Sequence, residues 1–297
     1  MLSPKNKAIT ELVLCGAIWG YGFIAVNAAL EFFGPMWINN LRNFMAAAVA
    51  LPVVFLIPKF RAKFTLPLFL AAGAPGTALA LALVFQTWGM KYTSVTKSGF
   101  ITTLYVLFVP IGMALVHKHR ISIWHWAYVL LALLGTALMC NFEWNGDGWN
   151  KGDALVLIAA ILMAVQFLLI DRTASKFNAP FLFNTAQTVW GFLVTLPFAL
   201  LLEGTSLNLS RLGLSAWAMM GFLAWISTLL AFGVQVDAQK HLPPSTTSLL
   251  CLLESPFAAV FAVVFLSESQ SVTQWIGGFM ILGAAAGVSL LTIQPQH

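Results

Sequence analysis

Two residues able to carry charge stand in stretches of sequence that offer no water. Arg42 lies some six residues into one apolar segment, and Glu254 lies near the middle of another. A charged side chain at the centre of a bilayer costs about 2.5–3.5 kcal/mol on insertion scales, so such residues usually face a bundle interior, a partner or a cavity. A guanidinium and a carboxylate in one cavity could hold the carboxylate and the amine of a zwitterion. Each residue also has a second reading. Arg42 could snorkel to the headgroups along its long stem. Glu254 is too short for that: it is either a protonated or paired group ordering the packing beside Pro256, or a site for a substrate amine or a coupling proton. Other chemistry finds little support. His117, His119 and His125 form the histidine cluster, without H-E-x-x-H spacing or a neighbouring acid. Cys15, Cys140 and Cys251 stand far apart, with no metal or redox spacing. No catalytic residue, cofactor or metal is expected.

The elements that must position these residues cross a membrane. Of the 297 residues 60% are hydrophobic and 8% charged, with a mean hydropathy of +0.87; a soluble domain carries roughly 25% charged residues. A bilayer core of about 30 Å takes about 20 apolar residues per helix. Ten such segments are predicted, at 9–30, 37–57, 66–89, 95–116, 122–141, 152–172, 180–202, 213–236, 244–267 and 273–293. The ten-residue alternating strands of a membrane barrel are absent. The net charge of +5 needs no nucleic acid to explain it, because the positive residues concentrate in alternate loops. Lys5, Lys7, Lys59, Arg61, Lys63, Lys118, Arg120, Arg172, Lys176 and Lys240 fall on one side, against Lys91, Lys97, Lys151 and Arg211 on the other. The positive-inside rule then places both termini in the cytoplasm, and the first segment reads as an uncleaved helix rather than a signal peptide.

The chain also repeats itself. Phe32, Pro35, Asn39, Leu51 and Pro52 recur 145 residues later as Phe177, Pro180, Asn184, Leu196 and Pro197; Gln86, Lys91, Leu104 and Trp126 recur 149 later as Gln235, Lys240, Leu253 and Trp275. Each repeat holds five segments, an odd number, so the second copy enters the membrane from the opposite face, as in transporters whose substrate sites lie between inverted halves. The expected fold is an all-α membrane protein of ten transmembrane helices in two inverted five-helix repeats, 1–146 and 147–297.

The repeat selects candidate site residues. Asn39 and Arg42 correspond to Asn184 and Gln187, three residues apart on one helix face. Ser98, Thr102 and Tyr105 correspond to Thr247, Cys251 and Glu254, each triplet spaced i, i+4, i+7 as a single helical stripe. Two matched semi-polar stripes suit a cavity between the halves; the alternative is hydrogen bonding between neighbouring helices. Gln86, Gln235 and Gln166 bring amides into hydrocarbon and serve packing or recognition. Of the interior tryptophans Trp19, Trp190 and Trp225, the candidates for an apolar or cation–π substrate wall are Trp19 and Trp190; Trp124, Trp126, Trp144, Trp149, Trp217 and Trp275 fit an interfacial belt. Lys91 and Lys240, paired by the repeat at opposite faces, read as anchors or as gate residues.

Several strings carry a family resemblance: Ala17-Ile18-Trp19-Gly20, Asn39-Asn40-Leu41-Arg42-Asn43, Gln86-Thr87-Trp88-Gly89-Met90-Lys91-Tyr92-Thr93-Ser94, Gln235-Val236-Asp237-Ala238-Gln239-Lys240-His241-Leu242-Pro243-Pro244 and Leu253-Glu254-Ser255-Pro256. In their order and spacing they resemble the EamA family of the drug/metabolite transporter superfamily over nearly the whole chain. The resemblance implies a ten-helix transporter of a bacterial-type inner (plasma) membrane, commonly an exporter of amino acids or related metabolites. The family's acidic-basic pair after helix 4 is replaced here by His119-Arg120. The expected partners are a small-molecule substrate, the lipid bilayer and, through Glu254, protons. Export of amino acids by alternating access is the first functional reading; an integral-membrane enzyme on lipid-linked substrates, a channel, or an exporter of nucleotides or vitamins are the alternatives.

Overall fold

A computed structural model describes residues 3–93, 95–117, 121–140, 149–205, 213–267 and 269–293. These hold helices and turns and no strand. Ten helical spans follow one another: α1 (Pro4–Leu30), α2 (Pro35–Leu56), α3 (Leu66–Gly89), α4 (Ser98–Leu115), α5 (Ile123–Met139), α6 (Lys151–Thr173), α7 (Pro180–Glu203), α8 (Leu214–Ala238), α9 (Pro244–Phe265) and α10 (Val272–Ile293). Nine of these described spans have the length and hydropathy to cross a bilayer, and α5 is a shorter apolar helix. The division expected between 146 and 147 lies outside the described residues, as do Trp144, Lys118, His119, Arg120, Arg211 and Glu268.

Helix starts are written in the local chemistry. Proline opens α1, α2, α7 and α9, where its missing N–H costs nothing and its φ is already helical. At α6 the Asn150 side chain accepts from the Gly152 and Asp153 amides, while Asp153 accepts from the Asn150 amide, closing a capping box. Outward-facing positions reverse the polarity of a soluble protein: Leu56, Leu201 and Leu214 are at least 80% exposed, and in this setting they face hydrocarbon.

The packing is pairwise symmetric under the repeat, in which each helix of the first five corresponds to the helix five places later. Helix α3 lies along α6, as α1 lies along α8; α3 packs on α7, as α2 packs on α8; α4 packs on α6, as α1 packs on α9. The contacts α2–α7, α4–α9 and α5–α10 map onto themselves. Most cross-contacts therefore join one repeat to the other, so the two interleave around a shared centre.

Several helices are not continuous. α4 is interrupted at Leu104 and α9 at Leu252–Leu253, positions related by the 149-residue shift. In α9 the cause is visible. Pro256 has no N–H to give to the Leu252 carbonyl, which instead accepts from Ser255 at 3.0 Å, and the Leu252 and Leu253 amides tighten onto Leu249 and Leu250. In α8, Phe222–Ala231 is a π-helical stretch. Interrupted and π-helical segments at membrane depth are tolerated where protein or a cavity surrounds them.

The α9 interruption is held from one side by the small-residue face of α1. A β-carbon at Gly20 would stand 2.8 Å from the Ala258 amide nitrogen and the Glu254 carbonyl, and one at Gly16 would meet Leu253 at 3.0 Å. Gly20→Ala is expected to lower the Tm of the detergent-purified protein by several degrees, from about 1–3 kcal/mol of overpacking. Gly283, in α10, has no atom within 4 Å of its would-be β-carbon, so Gly283→Ala should leave the Tm unchanged or raise it.

Candidate substrate cavity

A cavity of about 1100 Å³, its mouth included, lies among α1, α2, α3, α4, α6, α8 and α9. Its lining on α1 runs from Trp19 to Asn27, on α2 from Ile38 to Arg42 and on α3 from Leu83 to Met90. These stretches share one end of the bundle, the end opposite the N-terminus, and the exposed Asn27 marks the mouth there. At the other end the floor is closed. Tyr105 stacks on Phe167, with ring centroids 5.6 Å apart. Beyond it Gln235 Nε2 donates to Gln166 Oε1 at 3.4 Å and to Gln239 Oε1 at 3.3 Å, and Gln239 Nε2 donates to the Phe167 carbonyl at 2.9 Å. Met90 and Gln239 are counterparts under the 149-residue shift, yet Met90 lines the open chamber and Gln239 is sealed in the floor.

Nine of the candidate residues meet at this cavity: Trp19, Asn39, Arg42, Gln86, Thr102, Tyr105, Gln235, Cys251 and Glu254. Six lie outside its lining. Ser98 is buried one turn from Thr102 and accepts that hydroxyl at its carbonyl. Thr247 is the corresponding buried turn of α9, donating to the Pro243 carbonyl. Gln166 stands behind the floor. Asn184 and Gln187 border a separate small pocket with Asn43, Thr188, Thr228 and apolar residues such as Leu79 and Leu83. Trp190 stacks on Phe69 and donates from Nε1 to the Phe69 carbonyl at 2.9 Å, so its ring packs α7 to α3. Trp225, half exposed, donates to the Met45 carbonyl.

The two asparagines kept by the repeat act as helix clamps. Asn39 Nδ2 reaches the Pro35 and Leu83 carbonyls and Thr87 Oγ1, tying α2 to α3. Asn184 Nδ2 donates to the Thr228 and Leu229 carbonyls, tying α7 to α8. The charged residues are held differently. Arg42 is 5% exposed; its Nε donates to Thr228 Oγ1 at 2.8 Å and its Nη2 to Ser227 Oγ at 3.3 Å. Among the described residues it forms no ion pair, the paired cations there being Lys7, Lys91 and Lys240. Arginine carries five N–H donors, so three remain beside the cavity. Glu254, partly buried, lines another wall at the break in α9. Trp19, Phe23, Met163, Phe167 and Phe232 supply an apolar surface between them, with Trp19 and Phe232 ring centroids 5.0 Å apart.

Asn27, Thr87, Ser227 and Thr228 are functional candidates that the sequence reading passes over. Ser227 and Thr228 correspond to Ala78 and Leu79 under the shift, so a search for polar residues matched between the repeats removes them. The signal available was a hydroxyl pair inside an otherwise apolar segment.

The lysines of the repeat also differ. Lys240 is held by Asp237 at 3.0 Å and Asn178 at 3.3 Å, while Lys91, half exposed, lies 3.9 Å from Glu203. The Glu203 carboxylate accepts from the Met36 and Trp37 amides at 3.1 Å each, capping the positive end of α2.

This bundle, with a partly polar chamber at its centre closed at one end, fits a membrane transporter. The chain belongs to the EamA-like transporter family, whose pattern matches residues 6–141 and 150–290. It is a multi-pass membrane protein of the drug/metabolite transporter superfamily. An uncharacterized transporter of Archaeoglobus fulgidus is 31% identical over 94% of this chain and 84% of its own. A probable amino-acid metabolite efflux pump of Salmonella typhimurium is 24% identical over 95% of this chain and 93% of its own. A solved crystal structure superposes over 98% of both chains with a TM-score of 0.77 at 17% identity, a likeness of fold.

The unequal ends of the cavity make a direct test. In a cysteine-free background, Met90→Cys should react readily with a membrane-impermeant maleimide, whereas Gln239→Cys should be protected, because thiol modification follows access. Equal labelling of the two would contradict a chamber open at one end.

Proposed function

We propose that this chain exports amino acids across a bacterial-type inner membrane by alternating access. The repeats 1–146 and 147–297 rock about the central cavity, with both termini in the cytoplasm. The observation that carries the reading is Arg42: a nearly buried cation with three N–H donors beside the chamber and no carboxylate paired to it among the described residues. A buried charge is costly until it is paired, so the chamber favours a ligand with an anionic group. Glu254 gives the same ligand a partner for an amine, and the Trp19–Phe232 surface takes an apolar or aromatic side chain. The name of the Salmonella relative, an amino-acid metabolite efflux pump, points to the same substrate class. Glu254 also exchanges a proton in this scheme, alternating between substrate amine and H⁺.

Counterflow in proteoliposomes, run against a panel of amino acids, nucleotides and vitamins, tests the substrate class. Saturable amino-acid counterflow is expected, and nucleotide or vitamin counterflow alone would replace the reading. Arg42→Gln, which installs the residue of the repeat-related position, should weaken amino-acid transport by about tenfold to a hundredfold, the usual value of hydrogen bonds to a charged group. Glu254→Gln should flatten the dependence of transport on pH; a profile matching the parent protein would remove the proton role.

A further inference from the structure

Arg42 is held by residues of the other repeat, in an unusual backbone register. Thr228 Oγ1 donates its own proton to the Leu223 carbonyl, five residues back, at 2.7 Å. Its lone pairs are thereby turned to Arg42 Nε at 2.8 Å. The adjacent Ser227 hydroxyl reaches Nη2 of the same guanidinium. In an α-helix consecutive side chains diverge by about 100° (3.6 residues per turn); the i→i+5 pattern of a π-helix puts more residues in each turn and narrows that angle. Both residues lie within the π-helical Phe222–Ala231, so two neighbouring hydroxyls can converge on one planar group. The backbone at this point is pinned in turn, since Asn184 Nδ2 donates to the Thr228 and Leu229 carbonyls and Trp19 Nε1 to the Ser227 carbonyl at 3.3 Å.

A guanidinium on a long stem has many rotamers, and ordering such a side chain costs up to about 2 kcal/mol. Hydroxyls that accept from Nε and one Nη2 hydrogen settle this cost before a ligand arrives. They leave the other N–H groups for a planar, two-oxygen acceptor of the kind arginine binds bidentately. We propose that Ser227 and Thr228, brought together by the π-helical register of α8, are positioning residues that aim Arg42 and give the cavity its selectivity for a carboxylate. This deepens the amino-acid reading and rests on it for the identity of the ligand, while the aiming of Arg42 stands on geometry alone.

Two readouts on the purified full chain separate the parts. The first is site-resolved phenylglyoxal modification of Arg42, followed by mass spectrometry without any substrate. Ser227→Ala/Thr228→Val should raise the rate severalfold, and Thr228→Ser should leave it at the parent value. Equal rates in all three proteins would overturn the positioning role. The second is inhibition of counterflow by L-phenylalanine and by phenethylamine, which lacks the carboxylate. In the parent protein phenylalanine should be the stronger inhibitor. Thr228→Val should raise its half-inhibitory concentration about tenfold with little change for phenethylamine, and Thr228→Ser should restore the preference. A loss of affinity for both compounds alike, or no change for either, would mark Thr228 as merely structural and overturn the proposal. If the parent protein shows no preference for phenylalanine while the labelling rates divide as expected, the amino-acid reading falls and the aiming of Arg42 is upheld.

Discussion

Inside a bilayer no water is at hand to satisfy a polar group, and this constraint shapes the interior. Threonines on the helices return their hydroxyls to their own backbone: Thr136 donates to the Ala132 carbonyl, Thr185 to Phe181, and Thr195 to Gly191. Asparagines spend their amides on neighbouring helices, as Asn40 does on Phe192 and Thr195 of α7. With these local needs met, Arg42, Glu254, Gln86 and Gln235 border one chamber, while Gln166 stands behind its floor and Gln187 borders a pocket elsewhere.

The same economy sets the mechanics. Pro256 withholds one N–H, and the resulting interruption in α9 places Glu254 at the start of the C-terminal half of that helix, where Gly16 and Gly20 let α1 approach closely. The π-helical stretch of α8 widens the backbone opposite Arg42. Two departures from regular helix thus flank the chamber, each held by contacts from the other repeat. Arg42 on α2 and Glu254 on α9 belong to different repeats, so under the proposed function a ligand that bridges them acts on the relative position of the two.

Much of this architecture was legible in the sequence, because it rests on properties that add along the chain. Apolar runs gave the ten spans to within a few residues, and Asn39, Arg42, Tyr105 and Glu254 all border the central cavity. Ser98 and Thr247 share the stripes that point there, yet lie a turn beyond the chamber; a stripe gives azimuth on a helix and says nothing of where along it a cavity ends. Trp190 could not be told from Trp19 by type or depth, and only the neighbouring Phe69 decides that it packs. Ser227 and Thr228 escaped for a deeper reason. Matching the repeats finds what the two copies share, whereas the groups that hold Arg42 occur in one copy alone, and their convergence depends on a helical register that the residue types do not announce.

Arg42 borders the chamber while Gln187, its counterpart, turns into a small pocket of its own. Two identical halves facing each other across a two-fold axis must offer every group twice or not at all, so the count of cations around their common centre is always even. A single guanidinium and a single carboxylate are open only to halves that differ. Joining them in one chain gives the chamber a fixed polarity: under the proposed function a dipolar molecule takes one orientation relative to the membrane, with head and tail not exchanged.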